Sequence, residues 1–502
     1  MTSKRETERK YDISAPDGAA WLPDLAGAGP VHSVSDPRTE ELDAVYYDTD
    51  DLRLARASVT LRRRTGGSDA GWHLKLPLGG DSREEVGAPL SDAVPDALRE
   101  LVLSRTRGAG LRPVARIRSS RAVRRLLDRD GGPLAELSLD RVRAHALPGE
   151  DEPMEWAELE VELAEGADPA LLDAVDKKLR KSGVARAAGP SKLARALRVA
   201  DRASGKHPAA GDSPGGHVVA YLREHTAALV AADPAVRRDL PDSVHSLRVA
   251  CRRLRSCLRS YRSVLDRRVT DPVRAELRWL AGELGAQRDQ EVLGERIRAD
   301  LAALPDELVL GPVAARLKAW EVARGAGTRA RTLEALSSPR YLRLLDALAD
   351  LTENPPLRRK AGRGTRKVLG RAVLKEYDRL AGRVERALEL PPGRDRDAAL
   401  HQARKSAKKV RYAADVAGPA LGRPAGRLGK GAKALQKRLG AHQDGVVARD
   451  ALRDLAVAAQ VSGEPGFTWG LLHGQERERA RAAQEELPRL YARLADRAAA
   501  LR

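Results

Sequence analysis

The chain has 502 residues and a formal net charge of +19, from 90 lysines and arginines against 71 aspartates and glutamates. This length exceeds what one hydrophobic core usually serves, so two or three domains are expected. No segment approaches the roughly 18 consecutive apolar residues of a membrane-spanning helix, and the first ten residues lack the apolar centre of a signal peptide, so we expect a cytoplasmic protein.

The excess positive charge belongs to the second part of the chain. Residues 1–203 carry 33 basic and 35 acidic side chains, which leaves 57 and 36, an excess of 21, for residues 204–502. This part is expected to bind a polyanion. Aromatic residues make up only 3% of the chain, whereas single-stranded nucleic acid is usually held by stacking on aromatic side chains. A phosphate polymer without bases therefore fits better, although a duplex-DNA binder stays an alternative because duplex binding needs only phosphate contacts.

Alternating patterns predict β-strands in residues 1–203. Glu6, Glu8 and Lys10 share one face of the first strand, because successive side chains of a strand point to opposite sides. The same period groups further charged residues on later strands: Arg62 with Arg64, His73 with Lys75, Arg116 with Arg118, and Glu158 with Glu160 and Glu162. Period 2 alone fits either a sheet with one wet face or a closed barrel with an inward charged face.

The ordered series of motifs in this part resembles the CYTH domains, the triphosphate tunnel metalloenzymes. The motifs are E-T-E-R-K at 6–10, Y-Y-D-T at 46–49, L-R-R-R at 61–64, L-K-L at 74–76, R-E-E at 83–85, E-L-E-V-E-L at 158–163 and S-K at 191–192. The resemblance implies an eight-stranded antiparallel β-barrel that forms a tunnel with inward charged side chains.

The resemblance also implies roles for individual residues in that tunnel. Glu6, Glu8 and Lys10 are the expected catalytic residues, and Mg²⁺ or Mn²⁺, which prefer oxygen ligands, is expected at Glu6, Glu8, Glu158 and Glu160. The expected ligands of a linear triphosphate are Lys10, Arg62, Arg64, Lys75, Arg116, Arg118 and Lys192. Glu85, Glu136, Asp140 and Glu162 are further candidates of lower weight.

Helical periodicity predominates after a Gly-, Pro- and Ala-rich linker at 204–216. A cationic stripe in the helical segment, at positions that share one helix face, recurs later with the same spacing. The first copy is His245, Arg248, Arg252 and Arg255, and the second is His401, Arg404, Lys408 and Arg411. L-G-A-Q-R-D with Gly285 follows the first copy, and L-G-A-H-Q-D with Gly440 follows the second. Two motifs that recur in order indicate an internal duplication, with halves of about 217–350 and 368–502.

These residues resemble a CHAD domain at 217–502, which implies two pseudo-symmetric four-helix bundles. The eight residues of the two stripes are then expected to bind inorganic polyphosphate. The basic stretch 357–367 is predicted to lie between the halves. The glycine-rich stretch 422–433 lacks the spacing of a phosphate-cradling loop and is predicted to be a basic loop between helices.

The sequence thus predicts an α+β multidomain protein, with a CYTH domain at 1–203 and a CHAD domain at 217–502. The leading hypothesis is a metal-dependent triphosphatase that acts on inorganic tripolyphosphate or a related linear triphosphate. Its helical domain would bind inorganic polyphosphate and associate the enzyme with polyphosphate granules. The alternatives are a non-catalytic granule-binding protein, a class IV-type adenylate cyclase and a thiamine triphosphatase.

Overall fold

The structure is a computed structural model that describes residues 1–13, 23–147, 152–187, 191–198, 211–325 and 327–502, without the side chains of 286–289. The chain divides into two compact units, Met1–His207 and Pro208–Arg502. Residues 204–210 of the predicted linker lie outside the described part, and a helix already begins at Pro214. No helix of the described residues is long and apolar enough to cross a membrane.

The first unit is a closed antiparallel barrel. Its strands are β1 (Thr2–Ile13), β2 (Ser33–Val34), β3 (Arg38–Asp48), β4 (Thr60–Thr65), β5 (Gly71–Gly79), β6 (Ser82–Ala88), β7 (Arg112–Leu127), β8 (Pro133–Ala146), β9 (Met154–Leu163) and β10 (Ala185–Arg186). The order β1-β6-β5-β4-β3-β7-β8-β9 returns to β1, because β9 also pairs with β1. These eight strands confirm the predicted barrel, and the short β2 and β10 pair with β7 and β1 outside the ring.

Many apolar side chains of the barrel point outward and pack against helices. The helices are α1 (Asp96–Thr106), α2 (Ala170–Lys181) and α3 (Lys192–Ala196), and a short 3-10 turn spans Ala55–Ala57. Leu171 and Val175 of α2 pack in one buried cluster with Tyr11 and Leu159 of the barrel. A second cluster joins α1 to β4 and β5. The alternation of each strand therefore leaves the charged faces for the interior.

The second unit is entirely helical in its described residues. Its helices are α4 (Pro214–Arg237), α5 (Ser243–Ser260), α6 (Arg267–Glu283), α7 (Gly285–Ala302), α8 (Val313–Gly325), α9 (Thr328–Ser337), α10 (Pro339–Glu353), α11 (Thr365–Glu389), α12 (Arg394–Leu421), α13 (Arg423–Val461), α14 (Phe467–Glu485) and α15 (Leu487–Ala499). Helices α4, α5, α6 and α10 pack as one four-helix group, and α11, α12, α13 and α15 as another. Helices α5 and α12, which carry the two cationic stripes, touch each other between the groups.

The glycine-rich stretch 422–433 is helical, not the predicted loop. Helix α13 begins at Arg423 with a proline in its first turn, where the missing N–H of proline has no intrahelical partner to lose. A Cβ atom at Gly429 would lie 3.4 Å from the Cβ of Ala414, and one at Gly431 would lie 2.9 Å from Cδ1 of Leu494. These glycines are therefore close-packing positions on a helix.

Candidate tunnel site and basic groove

The barrel encloses a cavity of about 770 Å³, which lies within the range of roughly 300–1,000 Å³ typical of small-molecule sites. Charged side chains from many strands line it. The basic ones are Lys4, Lys10, Arg62, Arg64, Lys75, Arg83, Arg121, Arg125 and Lys192, and the acidic ones are Glu6, Glu8, Asp69, Glu85, Glu136, Glu160, Glu162 and Glu165.

One group of carboxylates lies where β1 meets β9. Glu6, Glu8 and Glu162 each offer an oxygen, and these atoms lie within 4.8 Å of one another. Lys75 donates to Glu6 at 2.5 Å, and Lys4 donates to Glu162 at 2.6 Å. Burial raises the pKa of Glu6, and the negative charges of Glu85 and Glu162 raise it further. The positive charge of Lys75 lowers this pKa, but not enough to cancel the increase. Glu8 lies 3.5 Å from Lys10 and 3.9 Å from Arg83, so each carboxylate of the group has a cation of the protein nearby. All three carboxylates also line the cavity, so a metal ion bound in the cavity has access to them.

A second group of carboxylates, Asp140, Glu158 and Glu160, lies deeper between β8 and β9. The Nζ atom of Lys192 lies 2.8, 2.6 and 2.8 Å from their respective oxygens. Burial alone would raise the pKa of Glu160, but Lys10, Lys192 and Arg121 outweigh it and hold the pKa well below the usual value. The protein's own cations therefore already neutralise this group.

The structure divides the four predicted metal ligands between these two groups. Glu6 and Glu8 belong to the first group, together with Glu162, whereas Glu158 and Glu160 belong to the second. Glu158 is buried and is not among the residues that line the cavity. Lys10 bridges the groups, because its Nζ lies 3.5 Å from Glu8 and is hydrogen bonded to Glu160.

The opposite wall of the cavity is rich in cations. Arg62 donates to the hydroxyl of Tyr46 at 3.3 Å and lies 3.9 Å from Glu85. Burial, Arg62 and Arg121 together lower the pKa of Arg64 to about 9, although Arg64 also pairs with Asp69. Mutual repulsion of these guanidinium groups would be relieved by an anion in the cavity.

Arg116 and Arg118 do not line the cavity, in contrast to the prediction. Their side chains are 47% and 60% exposed, and both pair with Asp43 on the outer face of β7. The inward face of this strand is the alternate one, which carries Arg121. Arg121 lies 2.7 Å from Asp140 and 2.8 Å from Glu160, and sequence reasoning missed it.

His73 serves the structure of the tunnel wall. Its Nδ1 lies 3.0 Å from Glu85, and its Nε2 lies 2.9 Å from the backbone oxygen of Asp69. Burial lowers the pKa of His73. Because both ring nitrogens are engaged, His73 holds the Glu85 carboxylate in place.

The second unit contains a groove of about 700 Å³ lined mainly by cations. These are Arg252, Arg255, Arg259, Arg262, Arg267, Arg274, Arg278, Arg379, Arg383, Arg404, Lys405, Lys408 and Lys409, with Ser256, His401, Gln402 and Tyr412 between them. No carboxylate of the described residues is part of this lining. Five of the eight predicted residues line the groove, whereas His245, Arg248 and Arg411 do not.

The cations of the groove perturb one another. Burial, followed by repulsion from Arg404, Arg252 and Arg411, lowers the pKa of Lys408 to about 7. Burial and Arg259 likewise lower the pKa of Lys409 to about 8. A polyanion in the groove would oppose both effects, so the mutual repulsion of these cations favours a negatively charged ligand.

The internal duplication has a structural counterpart beside the groove. Arg248 donates to the backbone oxygen of Gly285 at 3.2 Å, and Arg404 lies against Gly440, where an added Cβ would be 3.4 Å from its Nε. Arg404 also lies 3.7 Å from Asp444. The side chain of Asp289, the first-copy counterpart of Asp444, lies outside the described residues.

Comparison with known families agrees with this architecture. The CYTH domain matches residues 4–197 and the CHAD domain matches residues 220–453, in the predicted order. The chain therefore belongs to the proteins in which a CYTH domain is followed by a CHAD domain. Members of the CYTH family are metal-dependent triphosphatases or cyclases.

Two relatives match nearly the whole chain, and solved structures match part of it. Two uncharacterised proteins of Mycobacterium tuberculosis, from strains CDC 1551 and H37Rv, are 40% identical over 498 residues, covering 96% of this chain and 94% of each relative. Among solved structures, PptA from Streptomyces chartreusis is 22% identical with a TM-score of 0.47, covering 56% of this chain and 99% of that chain. The CHAD domain from the plant Ricinus communis is 25% identical with a TM-score of 0.44, and the match covers 56% of this chain and 92% of that chain.

Proposed function

We propose that the first unit hydrolyses a linear triphosphate, such as inorganic tripolyphosphate, with the help of Mg²⁺ or Mn²⁺, and that the second unit binds inorganic polyphosphate. The observation that carries the enzymatic part is a single cavity lined both by three carboxylates that lie close together, Glu6, Glu8 and Glu162, and by guanidinium and ammonium groups. A metal-bound phosphate chain needs both surfaces at once.

The metal fits the group of Glu6, Glu8 and Glu162 better than the group of Asp140, Glu158 and Glu160. In the deeper group a single ammonium, that of Lys192, lies within 2.8 Å of all three carboxylates, and Glu158 does not line the cavity. Glu6, Glu8 and Glu162 all line the cavity, and burial raises the pKa of Glu6. A divalent ion bound there supplies charge to neutralise phosphate oxygens. Glu158 and Glu160 are proposed instead to position Lys192 and Lys10.

The triphosphate ligands that we propose are the cations of the cavity wall: Lys10, Arg62, Arg64, Lys75, Arg121 and Lys192. Guanidinium groups suit phosphate because they donate two parallel hydrogen bonds. In phosphoryl transfer, catalysis consists mainly of positioning and of electrostatic stabilisation of the charge on the transferred group. The fixed, partly buried cations of the tunnel would provide both.

The groove favours a phosphate polymer without bases. Tyr412 is the one aromatic residue among the described residues that line it, and the guanidinium groups of Arg253 and Arg411 lie 5.4 and 4.6 Å from the centre of its ring. Besides Tyr412, the described lining offers only the imidazole ring of His401 for stacking of bases, on which binding of single strands usually depends. Binding of polyphosphate would also bring the enzyme to polyphosphate granules.

The test of the enzymatic proposal is phosphate release from tripolyphosphate with Mg²⁺, Mn²⁺ or EDTA. We expect release only with metal, and a loss on the order of 100-fold in Glu6→Gln, which keeps the shape of the side chain but removes one carboxylate from the proposed metal site. The matched control is Arg118→Gln, on the outer face of the barrel, which should retain wild-type release.

Other outcomes point to the remaining candidates. Cyclic AMP from ATP without phosphate from tripolyphosphate would identify a cyclase, and turnover of thiamine triphosphate alone would identify a thiamine triphosphatase. Tight polyphosphate binding without turnover of any of these substrates would identify a non-catalytic granule-binding protein.

A further inference from the structure

A strongly cationic surface lies outside the groove, in the connection between the two four-helix groups. We call residues 358–367 the basic segment; it contains no acidic residue. Its six cations are exposed: Arg358, Arg359, Lys360, Arg363, Arg366 and Lys367. No ion pair joins any of the six to a carboxylate in the part of the chain that the structure describes. Arg268 and, to a smaller extent, Arg358 lower the pKa of the Asp266 carboxyl, so the charge of Arg358 is partly balanced. The other five cations have no ion pair with a carboxylate among the described residues.

The basic segment has a fixed backbone. Leu357, just before it, forms a β-bridge with Leu265, and the N–H of Arg358 donates to the oxygen of Val264 at 2.8 Å. A short 3-10 turn, Arg359–Gly362, follows and buries Ala361. At the other end, the hydroxyl of Thr365 donates to the backbone oxygen of Asp212 at 2.8 Å. The cations are thus displayed from a defined scaffold, so little ordering is required for binding.

The anchor of the basic segment is also part of the edge of the groove. Residues 264–266, to which the segment is hydrogen bonded, connect Arg262 with Arg267, and both of these arginines line the groove. The basic segment is therefore joined to the groove lining through residues 263–266, S-V-L-D, of which Val264 and Leu265 are buried and Asp266 is acidic. A ligand that leaves the groove on this side meets further positive charge.

The end of the basic segment lies where a helix favours negative charge. Arg366 and Lys367 occupy the first turn of α11, close to the positive end of the helix dipole. Two cations at this place, following four others, repel one another and the dipole when no ligand is bound. A bound anion would remove this repulsion.

We propose that the basic segment is a second contact site for the polyphosphate chain held in the groove, and that it engages the part of a long chain that extends beyond the groove. This inference depends on the proposed function of the second unit and adds a chain-length preference to it. Long chains contact both surfaces, whereas a chain short enough to remain in the groove contacts one. The segment contains no aromatic residue, so it offers no stacking surface for bases.

The test compares two charge-matched variants of the full chain. The segment variant carries Arg359→Gln, Lys360→Gln, Arg363→Gln and Lys367→Gln. The control carries Arg423→Gln, Arg427→Gln, Lys430→Gln and Lys437→Gln, four exposed cations of α13 that do not line the groove. Affinity for tripolyphosphate and for long-chain polyphosphate is measured over a range of salt concentrations. Because the tunnel is the proposed site of tripolyphosphate, all of these proteins, including the reference, also carry Arg62→Gln and Arg121→Gln, which weaken binding in the tunnel. Differences in affinity then report on the second unit.

We expect the segment variant to lose on the order of tenfold in affinity for the long chain at low salt, with a salt slope shallower by about 3, from the counterions that four cations no longer release. Its affinity for tripolyphosphate should stay within about twofold of the reference, and the control should stay within about twofold for both ligands.

Four results would overturn the inference. Unchanged long-chain affinity and slope in the segment variant would exclude the second contact but leave the groove proposal intact. Equal losses for both chain lengths, or for segment variant and control, would show a general effect of net charge. Loss of duplex-DNA binding with unchanged polyphosphate binding would assign the segment to nucleic acid. The groove proposal itself fails separately, if Arg252→Gln with Lys408→Gln binds long chains as wild type does.

Discussion

Lys408 is a residue whose charge depends on what occupies the groove. Its pKa lies at about 7 because burial and then Arg404, Arg252 and Arg411 disfavour the ammonium form. Phosphate oxygens nearby would favour that form and raise the pKa again. We therefore expect that the proposed binding of polyphosphate above about pH 7 is coupled to the uptake of a proton by Lys408.

This linkage makes polyphosphate affinity depend on pH. Below about pH 7 Lys408 is charged both with and without ligand, so its contribution to the binding free energy is fully present. This contribution is lost as the pH rises above the pKa that Lys408 has without ligand. We expect binding on the order of tenfold weaker at pH 9 than at pH 6. Calorimetry in two buffers of different ionisation enthalpy should show proton uptake at pH 8.

The control for this prediction is Lys408→Arg, because an arginine keeps its charge over this pH range. The variant should take up fewer protons and bind with a shallower pH dependence. An unaltered pH dependence in Lys408→Arg would show that another group, such as Lys409 with its pKa of about 8, is responsible.

A second prediction at this scale concerns Arg121 and Arg118, which lie three positions apart on β7 and on opposite faces. Arg121→Lys should lower kcat/KM for tripolyphosphate by on the order of tenfold or more, since a lysine cannot reproduce a two-pronged phosphate contact. Arg118→Lys should stay near wild type. Equal activity of both variants would remove Arg121 from the proposed phosphate ligands.

The same two arginines show what strand periodicity can and cannot predict. Alternation identified which residues share a face, and it placed Glu6, Glu8 and Lys10 in the cavity as expected. On β7 both faces carry arginines, so the pattern does not distinguish inside from outside. Which face points inward follows from the closure of the barrel and from the pairing of Arg116 and Arg118 with Asp43. Asp43 lies 73 and 75 residues before these arginines in the sequence, so a local pattern does not reveal the contacts.

At the scale of helices, the duplicated glycines give the basic side chains room. Arg404 of α12 packs against Gly440 of α13, as Arg248 of α5 does against Gly285 of α7. An added Cβ at Gly440 would be at 3.4 Å from Nε of Arg404, so a single methyl group is accommodated but a larger side chain displaces the guanidinium. The L-G-A motifs thus position the arginines of the stripes.

Substitution of Gly440 tests this role. Gly440→Ala should bind polyphosphate as wild type does and be more stable by about 0.5–1 kcal/mol, because alanine is the better helix former. Gly440→Leu should bind several-fold more weakly while remaining folded, since it displaces Arg404 from its place beside the groove. Binding affinity and thermal unfolding separate the two effects. Wild-type affinity in Gly440→Leu would contradict the positioning role.

Helix boundaries in this unit could be predicted only in part from the sequence. Heptad-like spacing identified the stripes, and these lie on α5 and α12. The start of α13 was missed because glycine and proline usually indicate loops. Here proline opens the helix, and Gly429 and Gly431 allow close approach of α12 and α15. Such packing depends on partners that are distant in sequence, so a local pattern does not reveal it.

At the scale of the whole chain, each unit has its own hydrophobic cores. The buried clusters of the first unit, around Tyr11, Leu61 and Ile117, contain no residue of the second. The clusters of the second unit, around Leu254 and Trp469, contain no residue of the first. Units with separate cores can fold as separate domains, so substitutions inside one unit should leave the fold of the other intact.

The proposed activities should therefore separate by mutation in the full chain. Arg252→Gln, Arg404→Gln and Lys408→Gln together should weaken polyphosphate binding by at least tenfold, because three groove cations are lost, and should leave kcat/KM for tripolyphosphate unchanged. Glu6→Gln with Glu8→Gln should abolish phosphate release and leave polyphosphate affinity unchanged. Both quantities are measured on both variants. Loss of polyphosphate binding in the tunnel variant, or loss of tripolyphosphate turnover in the groove variant, would contradict this separation. Because the units have separate cores, unfolding of one unit would not explain such a loss in the other. The two sites would then have to share a ligand or a conformational change.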